Sequence, residues 1–152
     1  MFRGINPITL DTKGRMTVPT RYRDAFCDLK QFDWVITIDT EETCLLMYPL
    51  QEWHRIEEGL QGLPAFHPSA RRIQRLLMGH ATDVAMDSSG RLLLPQPLRQ
   101  YATLEKHLLL IGQGNKFEIW DETAWNNRRT EWLAIDTDLE NDLPEQLKEF
   151  RL

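Results

Sequence analysis

The sequence has little cysteine, few serines and no long apolar run. The two cysteines, Cys27 and Cys44, form neither a disulfide framework nor a CxxC pair. Both sit among apolar neighbours and read as core thiols. No apolar stretch approaches the ~20 residues of a membrane span; Leu108-Leu109-Leu110-Ile111 is a run of only four. The opening Met1-Phe2-Arg3-Gly4-Ile5-Asn6 lacks the apolar core of a signal peptide. These absences point to the cytosol and away from a membrane. Ser69, Ser88 and Ser89 lie in no GxSxG elbow. His54, His67, His80 and His107 show no HExxH or short ligand spacing, so no metal is expected. There is no P-loop and no GxGxxG, so no nucleotide cofactor is expected either. Carboxylates are scattered, and nothing asks for catalysis.

What remains is 152 residues, 41% hydrophobic and 27% charged, with a net charge of −5. That size suits one compact domain or two small intertwined ones. The charge is uneven. Residues 1–100 balance at 12 basic and 12 acidic, while residues 101–152 hold 6 basic against 11 acidic. An acidic total argues against general coating of nucleic acid but allows a local basic patch.

The chain repeats itself. Residues 11–23 read DTKGRMTVPTRYR and residues 87–99 read DSSGRLLLPQPLR. At an offset of 76, five of thirteen positions are identical: Asp11/Asp87, Gly14/Gly90, Arg15/Arg91, Pro19/Pro95 and Arg23/Arg99. Leu45–Tyr48 and Trp53 resemble Phe117–Trp120 and Trp125 at an offset of 72. The second copy is therefore four residues shorter between these points.

Each copy follows one physical grammar. An Asp starts a turn, a Gly takes its strained position, and an apolar strand follows. Pro19 and Pro95 fit the first turn of a helix. Tyr22, Ala25, Phe26 and Leu29 make one helical face, and Leu98, Tyr101 and Ala102 another. Strand pairs follow at Trp34–Asp39 with Cys44–Tyr48, and at Leu108–Ile111 with Phe117–Trp120. Each copy ends in a helix, opened by Pro49 or capped by Asp121, with Trp53 and Trp125 on the buried side. The divisions are residues 1–63, the first repeat; 64–80, a linker and basic helix; 81–134, the second repeat; and 135–152, an acidic tail. The tail's Leu139, Leu143, Leu147 and Phe150 suggest a short amphipathic helix after Pro144. Units of about 50 residues cannot easily close their own sheets. Exchanged hairpins would cover each other's edges in a small pseudo-two-fold barrel.

The basic residues carry the functional signal. Arg3, Lys13, Arg15, Arg21 and Arg23 cluster in sequence around the first turn, with Arg91 and Arg99 around the second. Arg15 and Arg91 each follow a turn glycine (Gly14, Gly90), where a long side chain projects from a rigid support. Arg can grip phosphate or read guanine O6 and N7 with two bonds. The alternative is an ion pair within each turn, Asp11 with Arg15 and Asp87 with Arg91. Both hold if the Asp orients the Arg that meets the ligand. Arg23 and Arg99, on helices, read as structural. Arg71, Arg72 and Arg75 lie on one helix, but no helix-turn-helix spacing precedes them. They read as a solvated face or as partners of the acidic tail.

The paired D-x-x-x-R elements, Asp11-Thr12-Lys13-Gly14-Arg15 and Asp87-Ser88-Ser89-Gly90-Arg91, resemble those of the MraZ family. The resemblance runs through Met1-Phe2-Arg3-Gly4, Lys13–Pro19, Tyr48–Trp53, Arg75–Ala81 and Asn115–Trp120, in order and spacing. It implies an α+β fold, a duplicated swapped-hairpin AbrB-like β-barrel with short flanking helices. It implies a bacterial transcriptional regulator, mainly a repressor, associated with the nucleoid. Such proteins form rings and bind short direct repeats upstream of their own division and cell-wall gene cluster. The implied DNA contacts are Arg15, Lys13, Arg91 and Arg3, with Asp11, Gly14, Asp87 and Gly90 shaping the turns. The second copy has Ser89 where the first has Lys13. Two rival readings are an antitoxin-like module that holds a protein partner through its acidic tail, and a small barrel enzyme.

Overall fold

The computed structural model describes residues 1–27, 33–135 and 143–150, without the side chains of residues 24–27 and 33. The expected helical positions Ala25, Phe26 and Leu29, the core thiol Cys27 and the tail residue Leu139 therefore lie outside the described side chains. The first copy runs β1 (Phe2–Thr9), β2 (Arg15–Thr17), α1 (Thr20–Cys27), β3 (Asp33–Ile38), β4 (Leu45–Pro49) and α2 (Leu50–Gln61). After α3 (Pro68–His80) the second copy repeats it. Its elements are β5 (Thr82–Ala85), β6 (Arg91–Leu93), α4 (Gln96–Tyr101), β7 (His107–Gly114), β8 (Phe117–Asp121) and α5 (Glu122–Ala134). A short α6 (Glu145–Glu149) follows.

The two copies are interleaved. One sheet has the order β1-β7-β8-β4-β3-β5, and a second contains β2-β6. Exchanging β1 with β5, β3 with β7 and β4 with β8 returns the same order reversed, so the duplication is a pseudo-two-fold. Each hairpin, β3–β4 or β7–β8, takes its flanking strand from the other copy. β1 pairs with β7 from Phe2 opposite Gly114 to Thr9 opposite His107, and β5 pairs with β3. The centre is β4 against β8.

The closed barrel expected from the sequence resolves into these two hydrogen-bonded sheets. β2 and β6 have three residues each, too few for a ladder along the neighbouring strands. A bridge, Leu10 with Met16, joins the end of β1 to β2. Burial nevertheless unites the sheets: Met16, Val18, Leu92 and Leu94 share one core with Trp34, Ile36, Leu108, Leu110 and Phe117. Strand alternation makes this possible, since every second residue faces inward.

The other face of the large sheet is covered by helices. Tyr48 and Val35 pack with Trp53 and Leu60 of α2 and with Ile73 and Leu77 of α3. Cys44, Leu109, Ile111 and Trp120 pack with Trp125 and Trp132 of α5. Cys44 is fully buried, as expected of a core thiol; burial pushes its thiol up, helped by the carboxylates of Glu118 and Asp39. Arg128 of α5 reaches across to Glu42 with its Nε 2.8 Å from Oε2 and its Nη2 2.6 Å from Oε1. Pro95 sits at the N-cap, one place before its helix, and Pro19 immediately precedes α1. This corrects the expected first-turn placement; a residue before the helix needs no helical N–H partner. α6 lies exposed, with Leu147 and Phe150 uncovered.

Candidate nucleic-acid interface

Each D-x-x-x-R segment closes on its own aspartate. The Asp11 Oδ1 accepts from the backbone N–H groups of Lys13 and Arg15, both at 2.9 Å. Its Oδ2 accepts from Arg15 Nε at 2.8 Å. Asp87 repeats the pattern with Ser89 N–H, Arg91 N–H and Arg91 Nε, each at 2.9 Å. An Asx-type turn is the natural use of a short carboxylate two residues ahead of a free N–H. Gly14 at φ +83° and Gly90 at φ +74° take the left-handed positions. The backbone N–H of Arg15 is the chief cause holding the Asp11 carboxyl below its usual range. The Arg91 N–H does the same for Asp87.

The ion-pair alternative and the ligand alternative therefore coexist in geometry. Each arginine is fixed through Nε, and among the described residues its terminal Nη1 and Nη2 have no protein partner. A guanidinium held this way keeps a two-pronged donor edge facing outward.

The two arginines also share one surface. In the β2–β6 ribbon, Arg15 pairs with Leu93, Met16 with Leu92 and Thr17 with Arg91. Met16 and Leu92 are fully buried. Alternation then sets Arg15, Thr17, Arg91 and Leu93 on the opposite, outer face. Arg15 and Arg91 are diagonal neighbours there, roughly 7–8 Å apart. Leu93 is 56% exposed between them. Lys13 stands exposed at one end of the ribbon and Ser89 at the other.

The turns are sewn to the opposite copy. Val18 N–H donates to Gly90 O, and Leu94 N–H to Gly14 O, both at 2.9 Å. Arg23, on α1 of the first copy, lies over Gly90, and its Nη1 donates to Ser89 O at 3.2 Å. Arg99, on α4 of the second copy, lies over Gly14, and its Nε donates to Leu94 O at 2.9 Å. Sequence reasoning gave both residues a structural role but missed that each serves the other copy's turn. The signal present was their identity at matching repeat positions; the partner was invisible without the strand exchange.

Arg3 does not join this cluster. It lies on β1, eight residues of mostly extended chain from Asp11, on the order of 20 Å or more. Its carbonyl accepts from Tyr22 Oη at 2.6 Å, and Arg21 stacks over the Tyr22 ring at 4.5 Å. The run of cations near the first turn in sequence is thus split by the strand's length. Arg71, Arg72 and Arg75 form an exposed face of α3, and among the described residues none makes an ion pair. Asp136, Asp138, Glu140 and Asp142 of the tail lie outside the described residues.

Comparison with known proteins agrees with the repeat. A family model described as "MraZ protein, putative antitoxin-like" matches residues 1–76 and again residues 77–142. The chain is 57% identical over 152 residues to the transcriptional regulator MraZ of Legionella pneumophila, with all of both chains covered. Over the same full length it is 49% identical to the transcriptional regulator MraZ of Coxiella burnetii and 49% to that of Halorhodospira halophila.

Proposed function

The chain belongs to the MraZ family of transcriptional regulators, and from that premise we propose that it is a sequence-specific DNA-binding repressor of its own promoter. It acts in the cytoplasm, on the nucleoid, as a ring-shaped homo-oligomer gripping short direct repeats ahead of the division and cell-wall genes. The swapped-hairpin barrel is its working unit, with boundaries after residues 63, 80 and 134. No helix among the described residues is long and apolar enough to cross a membrane. The family's work is regulation of transcription and not catalysis.

One observation carries the reading. The β2–β6 ribbon holds two arginines on one outer face, each locked at Nε by its own aspartate and open at its terminal nitrogens. A two-stranded ribbon fits the major groove of B-form DNA. Arg15 makes the main base or phosphate contact, Lys13 adds phosphate affinity, and Arg91 serves the second turn. Arg3, remote from the ribbon, contacts DNA only where the duplex extends beyond it.

The net charge of −5 sets a condition. A lone subunit repels DNA at long range, so several ribbons must act together through effective concentration. Rotationally related ring subunits suit direct repeats, whereas a dyad suits a palindrome. A gel shift across salt concentrations, run beside the molar mass in solution, tests this on a duplex from upstream of the coding sequence. The wild type is expected to be oligomeric and to bind with a steep salt slope. Arg15→Ala is expected to lose specific binding while keeping fold and oligomer. A strictly monomeric protein that binds that duplex undiminished overturns the proposal.

The second reading, an antitoxin-like module, is favoured by the wording of the matching family model and by the acidic tail. Deleting residues 135–152 separates the two: a repressor keeps its ribbon contacts, and a tail-dependent partner complex is lost.

A further inference from the structure

The arginines that lie over the turn glycines are not equivalent. Arg23 has both terminal nitrogens engaged by protein: Nη1 with Ser89 O at 3.2 Å and Nη2 with Thr20 Oγ1 at 2.7 Å. Arg99 is held only at Nε, by Leu94 O at 2.9 Å. Among the described residues its Nη1 and Nη2 have no partner. Its guanidinium nevertheless sits on the first turn: a Cβ built on Gly14 would come within 2.8 Å of Arg99 Cζ. The Gly14 backbone can be approached this closely because no side chain intervenes.

The first turn therefore gathers three cations with free donors: Lys13, Arg15 and Arg99. The second gathers one, Arg91, because Ser89 carries no charge and Arg23 is tied down. We infer that Arg99 is a DNA-phosphate contact of the first turn, lent to it by the second copy. This rests on the ribbon being the DNA-binding surface. The ligand chemistry is a phosphodiester oxygen, taken by Nη1 and Nη2 while Nε stays on Leu94. The contact reads no base. It sets how firmly the first turn is seated, and leaves sequence choice to Arg15. Arg23, its repeat counterpart, braces the second turn and meets no phosphate. The D-x-x-x-R element of the first copy is thus incomplete as a DNA site without a residue 84 positions downstream of Arg15.

The test uses the full-length chain, the upstream duplex and a scrambled duplex of equal length. Arg99→Ala is expected to weaken both duplexes by the same factor, about tenfold. It is also expected to lower the slope of log K against log salt by about 0.9 for each subunit engaged. Arg23→Ala is expected to leave that slope at the wild-type value. Arg15→Ala is expected to abolish the preference for the upstream duplex. Thermal unfolding follows every variant, and Arg99→Gln replaces Arg99→Ala if the latter unfolds, since it removes the charge and keeps an N–H donor. An unchanged slope in the folded Arg99 variant overturns the inference, as does an equal loss in Arg23→Ala. If Arg15→Ala retains full preference, the ribbon reading itself falls, whatever Arg99 does.

Discussion

At residues 11–15 and 87–91 the chain folds into the same turn twice. In each, one aspartate accepts two backbone N–H groups and one arginine Nε, at distances between 2.8 and 2.9 Å. The surroundings differ. The first turn has Lys13 and an Arg99 whose terminal nitrogens are open; the second has Ser89 and an Arg23 held at both terminal nitrogens. Duplication kept the scaffold and changed the charge around it. The lesson is that turn geometry and ligand grip are separable, because the first rests on backbone donors and the second on side-chain cations.

Arginine truncation should break this comparison most sharply. On the upstream duplex, Arg15→Ala is expected to cost about a hundredfold or more in specific affinity. One two-pronged base contact is worth roughly 1–3 kcal/mol, and several subunits share the loss. Arg91→Ala is expected to cost about tenfold, because fewer cations support its turn. Gel shifts of both variants over a salt series read the difference. Equal losses would make the two turns functional twins and remove the asymmetry.

The scaffold and the exchange of hairpins between copies were legible in the sequence; which residues meet across the exchange was not. Turn, strand, helix and hairpin recur at fixed offsets, and Asp11, Gly14, Asp87 and Gly90 announce their roles by type. The pairing of Arg15 with Leu93, across 78 residues, leaves no local trace. Periodicity reports which face of a strand is buried, not which strand lies beside it. The same blindness grouped Arg3 with the first turn, since proximity in sequence ignores the length of β1. It also hid Arg23, which donates to Ser89 O of the other repeat, and Arg99, which lies over Gly14 of the other repeat. Arg128 and Glu42, 86 residues apart, are a third such pair.

Glycine replacement sharpens the comparison on the side of stability. Gly14→Ala and Gly90→Ala both force a Cβ into left-handed backbone, at about 1–2 kcal/mol each. Gly90→Ala is expected to be the worse, because its Cβ would meet Arg23 Nη1 at a nearest approach of 2.3 Å, against 2.8 Å to Arg99 Cζ for Gly14. Arg23 must then give up Ser89 O, while Arg99 can swing its free end away. Denaturant unfolding midpoints rank the two. A milder Gly90 variant would mean that Arg23 is no firmer than Arg99.

Adding the missing cation works in the opposite direction. Ser89 is exposed, and Asp87 uses its backbone N–H rather than its hydroxyl. Ser89→Lys should therefore leave the turn intact. It is expected to raise affinity for any duplex by a few fold and to steepen the salt slope by about 0.9 per subunit engaged. An unchanged slope would show that the second turn stands off the phosphates, whatever its charge.

The smallest effect concerns protons, and it tests why Arg15→Ala should keep its fold. Asp11 and Asp87 both titrate below their ordinary range, and in both the leading cause is a backbone N–H, that of Arg15 or Arg91. The guanidinium's hydrogen bond and its charge are each a smaller cause than that N–H. A carboxyl lowered by folding stabilises the native state above its unfolded pKa, about 3.9, and loses that contribution as pH falls through the lower folded value. Between pH 5 and pH 8 both turns should thus be indifferent to these carboxylates. They should loosen together in stronger acid. Carboxyl chemical shifts followed by NMR read the two groups separately. In Arg15→Ala, Asp11 is expected to rise only part of the way to its ordinary value, because the backbone N–H of residue 15 survives the substitution; Asp87 is expected to stay where it was. A full rise at Asp11 would show that the ion pair, and not the backbone, closes the turn. Loss of DNA binding in that variant would then report a collapsed turn instead of a missing contact.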